Sequence, residues 1–151
     1  MFNRLRVRAQ SESGFTLVEL LVVMLILGLL AAIAIPAFFN QRAKAQDAEA
    51  KSAAKTVQTA LETYATDNNG QYTGATAAKL NTIEPTIITT GTGGGAIKTL
   101  TVGTNSYTIE VYSDSGTANT FSISRASAGT LTYPCASPGT GGCPSGSGGW
   151  G

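Results

Sequence analysis

Three hydrophobic patterns follow one another along the chain. From Leu20 to Ile35 every residue is apolar or glycine. With Phe15–Glu19 before this run and Pro36–Phe39 after it, 25 residues carry one charge, Glu19. As a helix rising 1.5 Å per residue this segment spans about 37 Å, enough to cross a hydrocarbon core of about 30 Å. Further on the pattern turns amphipathic. Ala50, Ala53, Ala54, Val57, Ala60, Leu61 and Tyr64 recur at helical spacing and mark one apolar face. Asp47 and Lys51 stand four apart in the favourable acid-before-base order. Asn68-Asn69-Gly70 reads as a helix stop, with Gly70 tolerating the left-handed conformation. The pattern predicts a nearly continuous helix from about Phe15 to Asn68, roughly 80 Å long.

Residues 71–98 show no periodicity. Leu80–Ile83 and Thr86–Thr90 are short apolar pieces around Glu84-Pro85, and Gly91–Gly95 reads as a surface loop. The period then becomes two. Lys98–Gly103, Tyr107–Tyr112, Thr120–Arg125 and Gly129–Tyr133 read as strands, with turns at Asn105-Ser106, Ser113–Asn119 and Ala126–Ala128. Tyr107, Ile109, Val111, Phe121 and Ile123 share one face, which should pack on the helical face Ala50–Tyr64. The expected fold class is α+β: a long helix whose outer half carries an antiparallel sheet of three to four strands. From Pro134 onward the chain is dense in Gly, Ser and Pro.

Composition narrows the function. Of 151 residues 13% are charged, and the formal net charge is +1. Arg4, Arg6, Arg8 and Glu12 precede the apolar run, so the side chains beyond them sum to −1. That balance argues against nucleic acid as a partner. There is no histidine, and Cys135 and Cys143 are the only cysteines. No metal-ligand cluster or nucleophile–base set can be assembled, so no enzyme, metal site or cofactor is expected. Gly93-Gly94-Gly95 is followed by no Gly-Lys-Ser/Thr and reads as a flexible loop. Asp114 alone is too little for calcium, which takes six to eight oxygen ligands, and reads as a turn residue. Trp150 is an isolated aromatic that reads as a docking residue of the tail.

Glu19 carries the argument furthest. A carboxylate in a membrane-length apolar segment costs roughly 2.5–3.5 kcal/mol even on a lenient scale, which marks it as functional. Around it stand a basic start, then Ser13-Gly14-Phe15-Thr16-Leu17-Val18-Glu19-Leu20. This stretch resembles the class III signal peptide of type IV prepilins and type II secretion pseudopilins. The resemblance is specific over roughly 14–40 and looser at Tyr64–Gly70. It implies a pilin-like ladle, cut by a prepilin peptidase after Gly14 and N-methylated at Phe15. Glu19 and Pro36 match the family's glutamate and late proline. Subunit assembly would rest on Phe15, Glu19, Gly28 and Pro36, with the Glu19 carboxylate pairing with the Phe15 amine of a neighbouring copy. A buried charge left unpaired is strongly disfavoured, whereas a paired one specifies register.

The chain then divides into a leader, 1–14; an apolar polymerisation helix, 15–39; an amphipathic half, 40–69; a connecting loop, 70–98; a sheet, 99–133; and a tail, 134–151. The arginines ahead of the apolar run place the N-terminus in the cytoplasm and everything after about Arg42 outside. In that oxidising compartment Cys135 and Cys143 are expected to form a disulfide. The resemblance implies a homopolymer of pilin subunits that starts in the cytoplasmic membrane and ends as an extracellular pilus or a periplasmic pseudopilus. Its partners would be the peptidase and an inner-membrane platform protein. The competing readings are an ordinary secretory signal cut near Ala32-Ile33-Ala34 and a non-polymerising, membrane-anchored binding module.

Overall fold

The computed structural model describes residues 14–116, 119–146 and 149–151. The leader arginines and part of the turn 113–119 lie outside the described residues. The elements are α1 (Leu17–Asp67), α2 (Ala77–Ile83), β1 (Ile97–Val102), β2 (Tyr107–Tyr112), β3 (Thr120–Arg125) and β4 (Leu131–Thr132). Contacts divide the chain into two compact units, one ending at Ala37 and one spanning Phe38–Gly151.

In the first unit the helix is apolar all round and its side chains are exposed. Pro36 lies inside α1. Having no N–H, it leaves the carbonyl four residues back, at Ala32, without its helical donor.

The second unit is α+β. Its sheet runs β1-β2-β3-β4, antiparallel throughout. In the β2–β3 register Ile109 faces Ile123 and Val111 faces Phe121 on the core side. Thr108 faces Ser124 and Glu110 faces Ser122 on the other side. A one-residue slip would turn every apolar side chain outward, so the alternation fixes the pairing. Between β1 and β2 the register shifts at Lys98, a one-residue bulge. Lys98 Nζ there reaches Glu110 Oε1 at 2.9 Å.

Ala50, Ala54, Val57, Ala60, Leu61 and Tyr64 of α1 pack against Tyr107, Ile109, Val111, Phe121 and Ile123 as expected. Three of the six helical residues are alanine, which lets the helix approach the sheet closely. A polar set crosses the same interface. Glu62 accepts from Tyr72 Oη at 2.7 Å and from Tyr107 Oη at 3.0 Å, and the Arg125 guanidinium lies 3.6 Å away. Burial, joined by the Glu62 carboxylate, pushes the Tyr72 phenol up to about 12 and raises that of Tyr107 further.

The helix ends as expected, one position differently. Asn69, not Gly70, is the first left-handed residue, at φ 57°, and Gly70 follows at 77°. The Gly70 N–H bonds the Ala65 carbonyl at 2.8 Å, the six-to-one bond of a Schellman stop. Three further expectations are corrected. The stretch read as a structureless loop contains α2, whose N-cap Thr76 accepts from the Lys79 N–H and which buries Leu80. β4 is two residues long rather than five. Ala53 is only partly buried, whereas Asp47 is fully buried on the same helix.

Candidate processing and assembly site

Gly14 and Phe15 are exposed and precede the first turn of α1. The next residue caps it. Thr16 Oγ1 accepts from the Glu19 N–H at 3.2 Å, and Glu19 Oε2 accepts from the Thr16 N–H at 2.9 Å. The Thr16 hydroxyl also donates to Glu19 Oε2 at 2.8 Å. This is a capping box, two otherwise unpaired donors satisfied reciprocally at a helix start. The helix dipole favours the same carboxylate there. The signal was present in the sequence as Thr-x-x-Glu ahead of an apolar run, and sequence reasoning passed over it while weighing Glu19 alone.

Gly28 lies on the apolar helix, and a Cβ built there meets nothing within 4 Å. Its lack of a side chain therefore serves no packing inside the subunit. Glu19, Gly28 and Pro36 all stand on α1.

Cys135 and Cys143 are joined as a disulfide, with Cα atoms 6.1 Å apart. Cys143 is buried in the core, and Cys135 bridges to Phe121 beside β3. The loop between them closes over Asp47. The Asp47 carboxylate accepts from the Gly142 N–H at 2.7 Å, from Ser113 Oγ at 2.5 Å and from Asn119 Nδ2 at 3.4 Å. Lys51 does not pair with Asp47 as the spacing suggested; it donates to the Gly142 carbonyl at 2.5 Å. Burial works to raise the Asp47 pKa. The Gly142 N–H, the hydroxyls of Ser113 and Ser115 and the Asn119 amide outweigh it and hold the carboxyl below the ordinary aspartate range.

Glycine is required at this approach. Gly141 sits at φ 55°, and a Cβ on it would strike the Asp47 carboxylate; one on Gly142 would lie 2.9 Å from Asp47 Cβ. Trp150 docks as expected. Its ring makes edge contacts with Phe121 and Tyr133, and its Nε1–H donates to the Pro134 carbonyl at 3.1 Å. Lys55 Nζ lies 4.0 Å over the Tyr133 ring. Among the described residues no three of His, Cys, Asp and Glu come together.

Comparison with known proteins points to the same end of the chain. Residues 10–35 match the family model described as the prokaryotic N-terminal methylation motif. The chain is 47% identical over 51 residues to the type IV major pilin protein PilA of Myxococcus xanthus, covering 34% of this chain and 23% of that one. It is 41% identical over 58 residues to the type II secretion system core protein G of Aeromonas hydrophila, covering 38% and 41%. It is 45% identical over 56 residues to the type IV major fimbrial protein FimA of Dichelobacter nodosus, covering 37% and 36%. These alignments span less than half the length of each relative. No solved structure matches the chain. With a methylation motif opening an apolar helix and an α+β unit beyond it, the chain is similar over its N-terminal third to proteins named type IV major pilin, major fimbrial protein and type II secretion core protein G.

Proposed function

We propose that the chain is a structural subunit of a type IV pilus, cut after Gly14 by prepilin peptidase, N-methylated at Phe15 and polymerised through its N-terminal helix. The observation that carries this reading is the helix itself. Over residues 15–39 it is apolar on every side, long enough to cross a membrane, exposed, and charged only at the capped first turn inside the methylation motif. A helix apolar all round needs burial on all sides. Lipid supplies it in the precursor, and other copies supply it in a filament.

Removing the leader takes away its arginines, so the helix can leave the bilayer sideways. Lipid tails are as apolar as leucine, so close packing must favour the polymer, and Gly28 offers a site where another backbone can approach. In the filament Glu19 exchanges its Thr16 partner for the Phe15 amine of a neighbouring copy. The partners are other copies of the chain, the peptidase and an inner-membrane platform protein. The precursor is a single-pass protein with its N-terminus in the cytoplasm, and the product is an extracellular filament.

A pseudopilin of a type II secretion system is the second reading. The identity to core protein G favours it about as well as the fimbrial matches favour the first. Peptide mass spectrometry on material sheared from intact host cells separates the two. An abundant peptide starting at Phe15 and heavier by one methyl group supports the pilus. The same peptide confined to the membrane fraction supports the pseudopilus. An N-terminus at Met1 or after Ala34 overturns both in favour of an anchored or secreted module. Glu19→Ala is expected to be processed normally yet give few filaments, and normal filament yield would refute its pairing role.

A further inference from the structure

Most charged side chains of the Phe38–Gly151 unit are engaged within it. Lys51 and Lys79 donate to carbonyls, Lys98 pairs with Glu110, and Arg125 lies against Glu62. Three charged residues near the start of the unit, Arg42, Lys44 and Glu49, differ. All three are exposed on α1, and none makes a hydrogen bond or ion pair with any described residue. Glu49 also rims an open cavity of about 200 Å³, whose other walls include Ser52, Ala53, Thr56 and Ile88. Glu49 is the one charged residue lining it. A cavity with uncharged walls and a carboxylate at its edge suits an ammonium on an alkyl stem, the stem on the wall and the charge on the rim.

We propose that Lys44 of one copy docks on Glu49 of the adjacent copy, with its stem in that cavity, as a second contact that sets the axial register of the polymer. The proposal rests on the polymer reading above and adds the occupant and the residues of a contact outside the apolar helix. Two geometric arguments select this pair. The first is axial. Pairing the Phe15 amine of one copy with Glu19 of the next offsets the copies by four residues, about 6 Å. Screw symmetry moves every atom of a copy by the same rise, so the offset recurs along α1 whatever the path between. Lys44 of the upper copy is then level with position 48 of the lower, beside Glu49.

The second argument is angular. A head-to-tail contact between identical copies joins two different faces of the subunit. At about 100° per residue, Lys44 and Glu49 lie about 140° apart around the helix, on different faces. Arg42 and Glu49 are seven residues apart and project from nearly the same side, so Arg42 is not the partner. An exposed ion pair contributes only about 0–1 kcal/mol, but this one repeats at every subunit.

The test is charge reversal in the native host. Lys44→Glu and Glu49→Lys are each expected to cut the yield of sheared filament by about tenfold, because reversal sets like charges together. The Lys44→Glu/Glu49→Lys double variant should recover to within about twofold of the natural chain, as a double-mutant cycle requires. Methylated Phe15 peptide in the membrane fraction is read in parallel and should be unchanged in all three, showing that the subunits are made and processed. Natural yield in both single variants, or a double variant no better than the singles, overturns the Lys44–Glu49 contact and leaves the Glu19 reading standing. An Arg42→Glu variant as defective as Lys44→Glu also overturns the assignment to Lys44. No methylated peptide and no polymer from the natural chain overturns the parent reading and this contact together.

Discussion

Asp47 holds two distant parts of the chain together with a single carboxylate. It has no exposed surface, and its oxygens receive donors from residues 66 to 95 positions away in sequence. A hydrogen bond to a charged group contributes about 1.5–3 kcal/mol, and a buried donor left unpaired costs a further 1–3. Asp47→Ala strands the Gly142 N–H and removes a charged acceptor from Ser113 and from the Asn119 amide, which keeps only Thr140, so a loss of about 3 kcal/mol is expected. Thermal unfolding of the full chain in detergent should show a midpoint lower by more than about 10 °C. The pH dependence has a definite sign. The folded pKa of Asp47 lies below the unfolded one, so its contribution is whole above the ordinary aspartate value of about 4. It is lost as pH falls through the depressed folded value. Glu110, held down by Thr120 and Lys98 against its own burial, acts in the same direction. The Asp47→Ala chain should therefore lose less stability between pH 6 and pH 3 than the natural one, and an equal loss would remove Asp47 from the acid response.

At the scale of elements, α1 carries two opposite demands. Its outer half must hold a rigid face of small residues against β2 and β3, while its apolar half contains Gly28 and Pro36, both poor helix formers. Pro36→Ala restores a donor for the Ala32 carbonyl and removes the ring clash, changes worth about 3 kcal/mol of helix stability. On the proposed polymer reading, filaments of that variant are expected to extend less under a pulling force, and unchanged extensibility would show that residues 28–36 do not yield. The helix, the strand order and the helix–sheet interface were legible in the sequence because each is long enough for its period to repeat. Ala50 to Tyr64 shows a 3.6-residue repeat four turns long, and β2 and β3 alternate over six residues each. α2 was not legible, because seven residues make two turns and its one buried side chain, Leu80, cannot establish a period. β4 was overread, because Gly129–Tyr133 alternates while only Leu131 and Thr132 pair with β3. The role of Asp47 was hidden for another reason. Its partners come from two loops, 113–119 and the disulfide loop, and the glycines that approach it look in sequence like any flexible tail.

At the scale of the molecule, one part of the chain folds on itself, and the proposed function gives the other to contacts with further copies. The Phe38–Gly151 unit has its own core, ion pairs and disulfide, whereas the large apolar side chains of the unit ending at Ala37 are exposed. Assembly and folding can therefore be altered separately, which is why charge reversal at Lys44 and truncation at Asp47 should give different defects. The disulfide loop adds a practical consequence. Its far side, Gly141-Gly142-Cys143, is clamped on the helix, and Cys135 is tied beside β3, while Pro138, Gly139 and Thr140 stand exposed between these anchors. A loop fixed at both feet and open at its tip tolerates added length, because each doubling costs only about 0.6 kcal/mol. A short peptide inserted between Pro138 and Gly139 should leave the unfolding midpoint within a few degrees of the natural chain and bind its antibody without denaturation. On a polymer, the same graft becomes a display lattice, one epitope per subunit at a spacing fixed by the helical rise.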